Sequence, residues 1–195
     1  MRSEAGRSPW YGRGMFRQPV LVALCALVLN LVPAPRVEAD EPLATVGDFD
    51  REAYLGRWHQ VALLPNWFQR KCVASTSAEY ALLPNGNLRV TNRCQTATGE
   101  TSVVGEARQH VEHPGNPAVL QVRFAPAWLG ALSFVWGDYW VIATLGRYDA
   151  ALVGSPDRKY LWVLSRTPGL PDAAYAQLVA VAKAEGFPVE QLRRE

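Results

Sequence analysis

Little in this chain suits redox, metal or nucleotide chemistry. Its 195 residues include three cysteines, three histidines and two methionines. No Gly-x-Ser-x-Gly elbow, phosphate-cradling glycine loop or Cys-x-x-Cys pair occurs, which removes the usual signatures of hydrolases, nucleotide binders and thiol redox proteins. The one cluster of ligand-type side chains is His110-Val111-Glu112-His113. In an extended strand its two histidines point to opposite faces, so it reads as a solvated strand end before Pro114 and not as a metal site. His59, next to Trp58, reads as a surface position. No metal, cofactor or catalytic group is expected, and hence no enzyme.

A long apolar run is also missing. The longest, Val20 to Val32, has 13 residues, with Arg13 and Arg17 before it and Val37-Glu38-Ala39 after it. That is the layout of a secretory leader, too short for a membrane span. We therefore expect a signal peptide over 1–39 and one domain over 40–195, with Met15 as an alternative start. Five of the 20 Lys and Arg precede residue 40, which leaves 15 basic against 16 acidic residues in the exported part. This balance gives no electrostatic reason to seek nucleic acid. Cys25 lies inside the leader and follows Val22-Ala23-Leu24, where cleavage would leave most of the apolar run attached, so a lipid anchor is not expected. Cys72 and Cys94 remain as an even pair in an oxidising compartment and read as a disulfide. A strict two-residue hairpin at Asn85-Gly86 puts Cys94 opposite residue 77, so that bridge requires a fold-back or a bulge.

The rest of the exported part is mostly short alternating runs rich in β-branched and aromatic residues, punctuated by turn signals. Strands are expected at 57–64, 73–83, 87–95, 101–111, 118–125, 138–145, 148–154 and 160–166. One helical turn precedes them at 50–55. An amphipathic helix follows at 171–185, with Tyr175, Leu178, Val179 and Ala182 on one stripe and Gly186 at its end. Eight antiparallel neighbours suit an up-and-down barrel, which removes exposed edges by closing on itself; a two-sheet sandwich is the rival. The expected fold is therefore all-β, an eight-stranded barrel with the C-terminal helix packed outside. Gly56-Arg57-Trp58 opens the first strand and Arg166 leaves the last, so a guanidinium stacked on the indole would close one end. At the other end Trp67, Phe68, Trp128, Leu129, Phe134 and Trp136 fall in two connections that share the mouth. The segment 125–137 is too apolar for a solvated loop and reads either as a flap over the barrel or as a lip that touches a membrane.

These residues resemble the lipocalin family. Gly56-Arg57-Trp58 is similar to its first motif, and Arg166 after a Trp-bearing last strand to its third. Tyr54-Leu55-Gly56-Arg57-Trp58, Leu64-Pro65-Asn66, Thr91-Asn92-Arg93-Cys94, Gly137-Asp138-Tyr139-Trp140-Val141-Ile142, Ala151-Leu152-Val153-Gly154 and 158–168 resemble the bacterial outer-membrane subgroup, related to apolipoprotein D. The second motif is reduced to Gly146-Arg147-Tyr148, which leaves its hydrogen bonds at the closed end open to question; Tyr148 joins Gly56, Trp58 and Arg166 in the expected floor. The subgroup's Trp-Tyr-Glu is Trp58-His59-Gln60 here, an amide in place of a carboxylate.

The resemblance implies binding and carriage of lipids, such as fatty acids and lysophospholipids, or of other small hydrophobic molecules, linked in bacteria to membrane biogenesis and repair. It also implies an exported protein of the periplasm, with the outer membrane as a contact. A monomer or weak homodimer is expected. With Trp58 inward, strand alternation puts Gln60, Ala62, Tyr80, Asn92, Leu120, Val122, Phe124, Tyr139, Trp162 and Leu164 on the cavity wall. A docking module with a filled barrel is the alternative function.

Overall fold

The computed structural model describes residues 42–195, so the expected leader and Cys25 lie outside the described residues. A single helical turn, α1 (Arg51–Tyr54), is capped by Asp50, whose carboxylate accepts from the amides of Glu52 and Ala53. The strands follow as β1 (Gly56–Leu63), β2 (Ala74–Leu82), β3 (Leu88–Thr96), β4 (Gly99–Gln109), β5 (Val119–Arg123), β6 (Gly137–Leu145), β7 (Ala150–Gly154) and β8 (Leu161–Ser165). Every consecutive pair is antiparallel, and β1 pairs with both β2 and β8, so the sheet closes into a barrel and the sandwich is excluded. A ninth strand, β9 (Arg193–Arg194), follows the helix α2 (Asp172–Ala184) and pairs with the end of β1 at Ala62 and Leu63. No sequence signal announced it.

Side-chain alternation explains two separate cores. Along β7, Ala151 and Val153 face the barrel interior, where they join Trp58, Tyr80, Leu88, Val90, Leu120, Tyr139 and Leu164. Ala150 and Leu152 face outward and are equally buried, because α2 covers that wall with Leu178 and Ala182, and Phe187 follows past Gly186. Gly154 fits this contact because a Cβ there would stand 2.7 Å from the Phe187 ring.

Two register details differ from expectation. The β2–β3 hairpin pairs Leu82 with Leu88, so its loop is longer than two residues and the register is displaced by one. A bulge then separates Ala74 from Ser77, with Ser75 at a φ of 55°. This bulge is the fold-back that the disulfide needs: it brings Cys72 to Cys94 with a Cα–Cα distance of 5.5 Å. A second bulge, in β1 between Gln60 and Ala62, alters the facing of that strand.

The histidine cluster also departs from its expected form. β4 ends at Gln109, the following residues turn, and the two imidazoles lie 4.9 Å apart. His110 is buried and not solvated: its Nδ1 accepts from the Glu112 amide, and its Nε2 lies 3.2 Å from an Asp138 oxygen. Among the described residues no group of ligand-type side chains is arranged to hold a metal ion.

Candidate ligand cavity

The two barrel ends are built differently. At the closed end, Gly56 adopts a φ of 90°, and a Cβ there would meet the Arg166 guanidinium at 3.6 Å. Arg166 lies 3.8 Å from the centre of the Trp58 ring and donates to the carbonyls of Ala53, Leu55, Arg57 and Tyr148. The Trp58 indole donates to the Tyr54 carbonyl at 2.9 Å. Tyr148, despite the reduced motif around it, completes the seal: its hydroxyl accepts from the Asp50 amide and donates to the Asp48 carbonyl. Gly56, Trp58, Tyr148 and Arg166 thus form one closing cluster.

Above this floor three phenols meet. The Tyr139 hydroxyl lies 2.7 Å from those of both Tyr54 and Tyr80. Burial raises all three pKa values, that of Tyr80 to about 12, so the cluster is neutral and hydrogen-bonding throughout the physiological range.

From the phenols to the opposite end runs a cavity of about 1530 Å³, open at the mouth. Its wall includes Gln60, Tyr80, Asn92, Val122, Phe124, Tyr139, Trp162 and Leu164. Two expected wall residues lie elsewhere. The β1 bulge places Ala62 in the outer core against α2, fully buried. Leu120 is buried in the interior core but does not line the cavity.

The mouth is equally mixed. Trp67, Phe68, Phe134 and Trp136 border it, whereas Trp128 and Leu129 do not. The 125–136 connection contains two single 3-10 turns, Ala127–Leu129 and Ser133–Val135. Trp136 anchors it: its indole donates to the Gly130 carbonyl, and its ring lies 3.9 Å from the Arg108 guanidinium and 5.1 Å from that of Arg123. Arg123, itself buried, pairs with Glu106 at 2.8 Å. The anchored loop leaves Trp128 and Phe134 about 80% exposed, with Trp67 68% exposed across the mouth.

One polar network escaped the sequence reading. The Glu195 carboxylate accepts from Gln60 Nε2 at 2.7 Å and Thr76 Oγ1 at 2.6 Å. Gln60 in turn accepts from Gln69, whose own Oε1 accepts from the Trp162 indole. A charged residue outside every periodic segment carries no signal of such a role. Gln60 and the Trp162 indole are therefore held by protein partners. Asn92 Oδ1, on the neighbouring wall, is buried without one. The lining cations are Arg70 and Lys71, both exposed at the mouth, and Arg93, which pairs with Glu79 at 2.9 Å. The arrangement can enclose an apolar chain, meet an anion at its entrance and offer neutral hydrogen-bonding groups at depth.

Comparison with known proteins agrees with this geometry. A family model for the lipocalin-like domain matches residues 49–195. Temperature-induced lipocalin-1 of Arabidopsis thaliana is 36% identical over 144 residues, covering 73% of this chain and 76% of that protein. The outer membrane lipoprotein Blc of Citrobacter freundii is 33% identical over 174 residues, covering 89% and 93%. Among solved structures, insecticyanin of the tobacco hornworm Manduca sexta superposes with a TM-score of 0.60 at 20% identity, covering 80% of this chain and 84% of that one.

Proposed function

Because the chain belongs to the lipocalin family, whose members bind small hydrophobic ligands, we propose that it carries a single-chain lipid, a fatty acid or lysophospholipid, in its barrel. The observation that carries this reading is the cavity itself, walled by Val122, Phe124, Trp162 and Leu164 and closed below by Arg166 on Trp58. Removing an acyl chain from water favours binding by about 0.8 kcal/mol per methylene, before the costs of association. The acidic head stays at the entrance near Arg70 and Lys71, since an unpaired carboxylate deeper in the barrel would lose its hydration. Carriage requires no covalent step.

The entrance supports a membrane role. Trp67, Phe68 and Phe134 border it, and Trp128 projects from the same loop. An exposed aromatic rim with the cations Arg70 and Lys71 beside it suits transient contact with an anionic bilayer surface, from which a lipid could pass directly into the mouth. A periplasmic location is the reading supported by the leader-like sequence before residue 40 and by the likeness to the outer membrane lipoprotein of Citrobacter freundii.

The carrier reading is tested by titrating hexadecanoate and following tryptophan fluorescence. Trp162→Ala is expected to weaken binding about tenfold or more, the worth of one large apolar contact, while shifting the unfolding midpoint only slightly. Unchanged affinity in the folded variant would remove Trp162 from the ligand site.

A further inference from the structure

The phenol cluster above the floor has one hydroxyl hydrogen too many. Tyr54, Tyr80 and Tyr139 supply three O–H donors, and the two contacts among them use two. Whichever way the hydrogens are arranged, one phenol donates to nothing within the cluster. Tyr54 is fully buried, whereas Tyr80 and Tyr139 border the cavity. Burial keeps all three protonated, so the surplus is not relieved by ionisation.

A second unmet group lies on the neighbouring strand. β2 and β3 pair Ala78 with Asn92 and Tyr80 with Val90, which makes Tyr80 and Asn92 diagonal neighbours on the inward face. Asn92 Oδ1 is buried without a partner, and a turn of its amide plane would present that oxygen to a ligand. When Tyr54 donates to Tyr139, the surplus hydrogen rests on Tyr80 or Tyr139 at the cavity, and the adjacent strand carries an acceptor without a partner. Both belong to neutral side chains, and the lining cations lie at the mouth or are paired on the strand's other side. A carboxylate or phosphate at this depth would be desolvated with no counter-charge. A hydroxyl satisfies both groups: its oxygen accepts from the phenol and its hydrogen goes to the amide.

We propose that the lower cavity is a hydroxyl-recognition subsite, formed by Tyr80, Tyr139 and Asn92, that selects ligands carrying a neutral alcohol at their buried end. This rests on the carrier reading and narrows its ligand class: the preferred cargo bears an alcohol far from whatever head lies at the mouth, or is itself a long-chain alcohol.

The test compares dodecan-1-ol with 1-chlorododecane, which matches its chain and lacks the hydroxyl. Both are measured by competition against a fluorescent fatty acid, in the native protein and in Tyr80→Phe/Tyr139→Phe. The chloride is the more hydrophobic compound, so the quantity to read is the ratio of the two dissociation constants. That ratio is expected to favour the alcohol roughly tenfold more in the native protein than in the double variant, the worth of a neutral hydrogen bond and its unmet partner. Should the double variant fail to fold, Asn92→Leu provides the same comparison with an expected loss of about threefold, since only the acceptor is removed. Equal ratios in native and variant protein overturn the subsite. If both compounds and hexadecanoate bind normally while the ratio stays constant, the subsite falls and the carrier reading stands. If none of them displaces the probe and none binds directly, both fall.

Discussion

Arg166 satisfies four backbone carbonyls and covers the Trp58 ring. Those carbonyls come from α1, from the start of β1 and from the β6–β7 turn, so one side chain ties three chain segments across the barrel floor. Arg166→Ala leaves them without a donor, and the expected loss is about 3 kcal/mol in urea unfolding. Hexadecanoate affinity should stay within about twofold because the phenol layer lies between this cluster and the cavity. A large loss of affinity at unchanged stability would contradict that placement. The phenols make a second prediction. Their pKa values are raised in the folded state, so the unfolded chain releases these protons first as pH climbs past the ordinary value of 10.0. Their contribution to stability is fully present below that pH and is lost as pH rises towards about 12. Tyrosinate absorbance from this trio should therefore appear together with unfolding; titration near pH 10 in a folded barrel would show that they are not buried.

Elements differ in how far their chemistry could be read from the chain. Alternation along β8 marked Trp162 and Leu164 as inward-facing, and the Ala-rich 3.6-residue period marked α2, because each pattern repeats over several positions. Val61 carries no glycine or proline to announce the β1 bulge, so Ala62 was expected on the wrong face. Asn85-Gly86 is compatible with hairpin loops of more than one length, and tertiary pairing of Leu82 with Leu88 decided between them. The stacking of Arg108 and Arg123 on Trp136 depends on how the 125–136 loop folds, which no local pattern encodes. That loop is also where the membrane reading is testable. Trp128→Ser with Phe134→Ser removes two exposed rings that touch none of the floor, so folding should persist. Co-sedimentation with phosphatidylglycerol vesicles should drop at least tenfold, since burying each ring contributes about 2 kcal/mol. Equal sedimentation of the double variant would remove the loop from any membrane contact.

For the whole molecule, closure of the sheet and the survival of an interior cavity are the properties that matter. Closure was legible: eight alternating runs with Gly56-Arg57-Trp58 at one end and Arg166 at the other leave few alternatives. The cavity was less so, because a wall position and a core position have the same apolar signature. Leu120 and Leu164 sit on inward faces of the same barrel, yet Leu164 lines the cavity and Leu120 only fills the core. Strand alternation puts both on the inward face and does not tell a cavity wall from a filled core. The Glu195 network was likewise invisible, since it depends on β9 returning to β1 beside Gln60 and Thr76.

Native mass spectrometry of delipidated protein titrated with hexadecanoate tests the central claim most directly. The account predicts one saturable adduct per chain, abolished by an excess of a competing single-chain lipid. A spectrum that stays unliganded at saturating hexadecanoate, or that gains a non-saturating ladder of adducts, would contradict it.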